Sequence, residues 1–373
     1  MKKREKKAFT IINPNAAGID IASKEHWVAV NPEMADVPIR PFGTYTEDLH
    51  KIAEWLKECE VDTVAMEATG IYWLNLFLIL EEAGIKTILV NARHTKNVTG
   101  KKTDMSDAEW IRQLHSCGLL SASFQPDMFT RELRTYMRHR KNMTQMGATH
   151  INMMQKAMEQ LNIKLQHVIT DITGKSGQAI IGAILAGERD PEKLMVHIDG
   201  RIKASRDEIK KSLCAVWKEE HVFELQQSFE MYQQYRRMII VCDRQIEKLL
   251  EQKTNTTNQH SERKTPRNNN NGLYFEAKGM LHQLTGTDLT AIFGIKGTTA
   301  LELLSEIGWD MGKWPTVKHF TSWLNLAPNN RKSGGKILSS KTKKRKIKQD
   351  KYCGWPLIQY NEVKTGWPYF TTG

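Results

Sequence analysis

Several things are scarce in this 373-residue sequence, and each shortage removes a class of protein. No apolar run reaches the roughly 18 residues that a membrane-spanning helix needs. The basic opening MKKREKKAFT leads into IINPNAAG, not into an apolar core with a cleavage site, so a signal peptide is not expected either. Cysteine is limited to Cys59, Cys117, Cys214, Cys242 and Cys353, odd in number and without CxxC or Cys/His ligand spacing. That pattern excludes a zinc site or a disulfide frame and reads as reduced thiols in a cytosol. Proline is almost missing between Phe129 and Leu250, which leaves that stretch free to form long helices. Acid is in deficit: 54 Lys and Arg face 42 Asp and Glu, for a formal net charge of +12. An excess of that size favours a polyanion, and with no membrane segment in sight the expected partner is nucleic acid.

What is present falls into blocks. Residues 16–34 read as a strand, a turn and a second strand, with IRPFGTY as a third, before TEDLHKIAEWLKEC turns helical. VDTVAME, IYWLNLFLILEEAG and IKTILVN then alternate strand, helix and strand, as in a parallel βαβ unit. The first 125 residues are therefore expected to form a mixed sheet flanked by helices. Residues 126–252 carry apolar residues at helical spacing among many charges and predict long helices, paired with each other or with a second subunit. A polar, Asn-rich linker over 253–275 precedes a small, mainly helical C-terminal domain over 276–350. Within that domain LTAIFGIKGTTALELLSEIG sets Gly294 and Gly297 between two apolar stretches. This is either a turn whose N–H groups face a phosphate backbone or a plain αα-hairpin turn.

Carboxylates sit at three element ends in the first block. Asp20 lies in the apolar strand GIDI, Glu67 ends VDTVAME, and Asp104 and Asp107 open a helix in KKTDMSDAEW directly after Lys101 and Lys102. Two-metal phosphoryl transfer needs such a set, because two Mg²⁺ ions roughly 4 Å apart must be held by hard oxygen ligands. Each residue also has a plainer reading. Ser106 and Glu109 fit a capping box, Asp104 an N-cap, Asp107 a favourable first-turn charge, and Glu67 a strand-end residue before a turn. Asp20 is harder to dismiss, since a lone carboxylate in an apolar strand is costly to bury unpaired.

The order GIDIASKEHWVAV, VAMEATGIYW, ILVNARHTKNVTGKKTDMSDAEWIRQL resembles the DEDD insertion-sequence transposases, the group named after insertion sequences 110 and 1111. The resemblance covers about 16–348 and implies a RuvC-like, RNase-H-fold nuclease domain in which Asp20, Glu67, Asp104 and Asp107 bind Mg²⁺ or Mn²⁺. It further implies a DNA transposase or recombinase acting on element and target DNA, a structured guide RNA from the element's own ends, and a dimer or tetramer. The setting it implies is the nucleoid of a bacterial or archaeal cytoplasm. The family's second motif is met by LAPNNRKSGGKILSSK, and the resemblance makes Ser333 the nucleophile that joins to a DNA phosphate. Ser339 and Ser340 are nearby hydroxyls, but only Ser333 abuts a Gly-Gly pair. Without the family, SGGK reads as a flexible loop.

Around it, Arg331, Lys332, Lys336, Lys341, Lys343, Lys344, Arg345 and Lys346 make the most basic segment of the chain, suited to neutralising phosphates. A rival reading sees the first phosphate loop of actin-like sugar kinases in GIDIASKEHWVAV, but no later glycine-rich nucleotide loops accompany it. Residues 351–373 depart from the family, ending KYCGWPLIQYNEVKTGWPYFTTG. Read one base out of frame, the degenerate codons permit a helical tail of the family's kind. A frameshift near Asp350, and with it a non-catalytic nucleic-acid-binding remnant, is therefore a further expectation.

Overall fold

A computed structural model of the chain describes residues 10–90, 104–254, 272–324 and 331–340. The described residues form two compact units, one within Met1–Gln125 and the other within Pro126–Lys343.

The first unit is built on a five-stranded mixed sheet of order β3-β2-β1-β4-β5. Its strands are β1 (Ala16–Ile21), β2 (His26–Ala29), β3 (Ile39–Phe42), β4 (Thr63–Glu67) and β5 (Lys86–Val90). β1 runs antiparallel to β2 and parallel to β4, and β5 continues the parallel half. This is the RuvC-like arrangement, and its hairpin-then-βαβ order is the one read along the sequence.

Alternation along the strands decides the two faces. Ala17, Ile19 and Ile21 of β1, with Val28, Val64 and Met66, form one core with α1 (Thr46–Glu58) and α2 (Trp73–Glu82). Leu49, Ile52 and Leu56 recur at helical spacing on α1, and Leu76 and Leu80 on α2, so each helix buries one stripe. α2 ends just before Gly84, whose φ of +78° favours glycine. The opposite face carries a thinner apolar layer of Ala65 and Val90 against Ile111 of α3 (Asp104–Ser116).

The second unit is organised by two long helices, α4 (Met128–Gln160) and α8 (Glu219–Thr254). They pair with each other in antiparallel fashion: Arg140 meets Asp243, and His150 stacks on Tyr235 with ring centroids 5.6 Å apart. At the far end of the pair, α5 (Lys175–Leu185), α6 (Pro191–Met195) and α7 (Arg206–Leu213) close an apolar core of Met154, Met158, Ile180, Ile184 and Phe229. At the near end, α9 (Lys278–Thr285) and α10 (Gly297–Ile307) share a core with Leu133, Met137, Ile246 and Leu250. α11 (Val317–Trp323) and a hairpin of β6 (Arg331–Ser333) and β7 (Lys336–Ser339) follow.

Candidate active site

Asp20 and Glu67 become neighbours through strand register. β1 and β4 run parallel with Ile19 opposite Met66, and the next residue on each strand is Asp20 and Glu67. Ile19 and Met66 point into the α1–α2 core, so Asp20 and Glu67, one residue on, belong to the α3 face. Both are half-buried at the C-terminal ends of central parallel strands.

The placement of α3 brings Asp104 and Asp107 to that edge. Its C-terminal end is tied to the opposite edge of the sheet. Ile12 and Asn13 donate their backbone N–H groups to the Ser116 carbonyl, the Asn13 amide donates to the His115 carbonyl, and His115 Nε2 lies 3.0 Å from Thr63 Oγ1. Midway, the helix backbone rests directly on Gly18. A Cβ there would lie 2.2 Å from the Arg112 nitrogen and 2.4 Å from the Ala108 oxygen, so no larger residue fits. From Gly18 to Asp20 the strand climbs about 6.6 Å. The same climb along a helix takes roughly one turn, which reaches the first turn of α3, where Asp104 and Asp107 are.

Backbone packing thus brings Asp20, Glu67 and the first turn of α3 to one end of the sheet. Asp20, Glu67 and Asp107 each have an interaction partner. Among the described residues, no three His, Cys, Asp or Glu side chains are grouped closely enough to hold an ion; the Asp104 side chain lies outside that set. The donor set nevertheless fits a hard divalent cation in kind, because every member offers carboxylate oxygen.

The capping-box reading of this helix is corrected. Ser106 lies inside a helix that begins at Asp104, and Glu109 gives its oxygens to Arg112, at 2.8 and 2.7 Å, and to Gln113. Arg112 and Glu109 form a brace along the helix one turn beyond Asp107. Lys101 and Lys102 lie outside the described residues.

Ser333 sits in a different setting. It is the last residue of β6 and pairs with Lys336 across a two-residue turn made by Gly334 and Gly335, both with positive φ (54° and 77°). That is the type I′ geometry which matches the twist of a hairpin and which glycine supplies without strain. The flexible-loop reading of SGGK is therefore corrected to an ordered hairpin tip. Ser333 and Lys336 are exposed, and nothing lies within 4 Å of the space a Cβ would take at either glycine. Arg331 and Lys332 belong to β6, with side chains that are not described, and Lys341, Lys343, Lys344, Arg345 and Lys346 lie outside the described residues. The glycine turn farther upstream consists of a 3₁₀ turn at Leu289–Ala291, Gly294 with φ +83°, and α10 opening at Gly297.

Two family models match the chain. One, described as "Transposase", covers residues 17–163, and the other, described as "Transposase IS116/IS110/IS902 family", covers 286–350. The chain belongs to the IS110 transposase family. The first match spans all four carboxylates and the second spans Ser333, and the family assignment removes the sugar-kinase rival. No curated protein matches the chain. As a transposase-family member it is a DNA-binding protein, and among its described residues no helix is long and apolar enough to cross a membrane.

Two residues beside this transposase's candidate site were not read from the sequence. Gly18 is the first, although GIDI already placed a glycine two residues before Asp20 on the same strand face. Trp27 is the second: β2 pairs it directly with Asp20, and its indole N–H donates to Glu25 at 3.1 Å. Counting back across the hairpin from Asp20 would have found it.

Proposed function

We propose that the chain is a DNA recombinase that cuts and rejoins strands at an insertion sequence, using Asp20, Glu67, Asp104 and Asp107 as ligands for Mg²⁺ and Ser333 as nucleophile. The observation that supports the reading is the registered pair Asp20 and Glu67 on the face where α3 crosses Gly18. Bound there, divalent ions would neutralise phosphate charge and polarise the P–O bond.

The protein's own groups supply the rest. The half-buried Asp20, Glu67 and Asp107 would offer hard-oxygen ligands with Asp104, and Lys101 and Lys102, which precede Asp104 in the sequence, would add positive charge for a strand. The Oγ of Ser333 attacks phosphorus, its proton passing to solvent or a nearby base, and the strand oxygen leaves. Attack by another strand's hydroxyl then breaks the serine ester and restores Ser333. Hairpin-tip exposure suits a serine that must meet a phosphate on a bulky duplex, and the glycines beside it leave the backbone clear for close approach. Guidance by an element-encoded RNA and a multimeric assembly complete the reading.

A Mg²⁺-dependent recombination assay with element DNA and RNA tests it. Asp20→Asn and Glu67→Gln should abolish strand exchange, and Ser333→Ala should abolish the covalent protein–DNA adduct. An adduct that persists in Ser333→Ala removes the serine from the mechanism. A second reading, the inactivated remnant, is favoured by one observation: the C-terminal family match stops at residue 350, where the atypical tail begins. Comparing this chain with its frame-restored counterpart separates the two.

A further inference from the structure

The second unit holds a cavity of about 1090 Å³ between the segment that follows α4, the start of α5, the segment leading into α7 and α7 itself. Five cations line it, Lys164, Lys175, Arg201, Lys203 and Lys211 among them all, against three carboxylates. Those carboxylates are already spoken for. Asp171 accepts from its own Thr173 at 2.8 and 2.6 Å, Asp199 is clamped by Arg201 at 2.9 and 2.8 Å, and Glu208 closes a capping box with Ser205. Lys164 is likewise paired with Glu159. Lys175, Lys203 and Lys211 make no salt bridge among the described residues and are exposed.

The wall is rigid where it matters. A Cβ on Gly177 would lie 2.2 Å from the Ile172 carbonyl oxygen, so the turn before α5 is folded hard onto the helix. Gly174 caps α5 without any side chain, and the first-turn amides stand beside Lys175. Ile169, Ile202 and Ala204 add an apolar strip between the cations.

We propose that this cavity binds the phosphodiester backbone of a nucleic-acid strand, separately from the carboxylate edge and the Ser333 hairpin. Its volume is at the upper end for a small-molecule pocket, more than a lone phosphate fills. The three lysines without a salt bridge come from the start of α5, the loop before α7 and α7 itself, a spread that suits successive phosphates better than one anion. The apolar strip offers sugars and bases a surface. The inference rests on the transposase reading only in expecting a nucleic acid; it needs no metal and no serine chemistry.

The test measures binding by the full chain in EDTA, using a uridine RNA and a thymidine DNA of about a dozen nucleotides, a length in the range of single-strand site sizes. Salt is varied between about 50 and 200 mM. The variants are Lys175→Ala/Lys203→Ala/Lys211→Ala and the corresponding triple Arg replacement. Loss of three contacts should lower the salt slope by about 2 and weaken binding on the order of a hundredfold at 0.1 M salt, whereas the Arg triple should bind like the parent. Lysine-dependent preference for the RNA assigns an RNA strand, and the reverse preference a DNA strand; both support the proposal. Unchanged slope and affinity in the Ala triple overturn it, and so does lysine-dependent binding of inorganic tripolyphosphate with none of either oligonucleotide. Because EDTA removes any role for metal, failure of the recombinase assay leaves this result intact. Conversely, oligonucleotide binding that ignores the lysines defeats the cavity without touching the recombinase reading.

Discussion

The carboxylate edge and the Ser333 hairpin are built in opposite ways. Asp20, Glu67, Asp104 and Asp107 are positioned by buried backbone: strand register, a glycine notch that admits only a helix backbone, and a helix end tied down by His115 and Ser116. Ser333 stands on the tip of a two-stranded ribbon, exposed, with open space around both turn glycines. A site held by its own core is preorganised before substrate arrives. An isolated two-stranded hairpin is marginal in water, so in the role proposed above Ser333 would gain its final order from the DNA it attacks. The contrast suits the roles proposed above: metal ligation would tolerate little displacement, whereas a nucleophile reaching different strands would profit from freedom.

The sharpest way to break the contrast is Gly18→Val. Its side chain would have to displace the backbone of α3 at Ala108 and Arg112, since neither contact is the yielding end of a side chain. We expect a loss of about 4 kcal/mol or more, beyond ordinary overpacking, measured by urea unfolding of the first unit's fluorescence. Retained stability would mean that α3 is not seated by this glycine.

Next in size is the second unit's own buried anchor. Arg140 and Asp243 are 4% and 1% exposed, and a pair this dry must be complete to be tolerated. Asp243 accepts from Arg140 at 2.5 and 3.2 Å and from the Tyr274 N–H at 3.1 Å, while Arg140 also donates to the Gly272 carbonyl at 2.6 Å. Asp243→Ala removes the buried carboxylate that takes two of the Arg140 donors and should cost about 3–5 kcal/mol. Arg140→Met combined with Asp243→Leu should recover much of that loss. If the double variant is no better than the single, the pair does more than satisfy itself.

A pH titration reaches the first unit from another side. Burial, helped by nearby Lys86, pushes the His115 imidazole down to about 4. Unfolded, it titrates near 6.5, so between these values the unfolded chain carries a proton that the folded one refuses. His115 therefore supports folding fully above about 6.5, and the support drains away as pH falls toward 4, by about 3 kcal/mol in all. His115→Gln should flatten the stability profile in that window; an unaltered profile would place its cause elsewhere.

Legibility followed the same division. The sheet order was readable because apolar alternation in GIDIASKEHWVAV and VDTVAME, with TEDLHKIAEWLKEC at helical spacing, dictates a hairpin followed by a parallel crossover. Asp20 and Glu67 were readable as candidates because a carboxylate in or ending an apolar strand calls for a reason. Gly18 was not, since a glycine's purpose is set by what packs on it from about 90 residues away, and no local pattern carries that. The capping box at Ser106 and Glu109 misled because its spacing is also that of a helix interior, where Glu109 found Arg112 instead. SGGK looked like a loop because two glycines signal freedom, yet positive φ at both is what a tight hairpin demands.

The smallest expected effect on stability, and the one that most sharpens the contrast, comes from the hairpin glycines. Gly334→Val forces a β-branched residue to a φ near 54°, which costs about 1–2 kcal/mol locally, whereas Asn enters that region with much less strain. Because the tip is exposed and a Cβ at Gly334 would meet nothing within 4 Å, that cost can be met by opening the hairpin instead of unfolding the unit. Gly334→Val should accordingly leave global melting almost unchanged while lowering serine-adduct formation by tenfold or more, and Gly334→Asn should retain most of it. The same Gly334→Val protein should keep full binding of divalent metal, because the carboxylate edge is seated by Gly18 and not by the ribbon. Equal adduct yields from the Val and Asn proteins would show that turn geometry does not orient Ser333, and a drop in metal affinity would show that the two sites are not built independently.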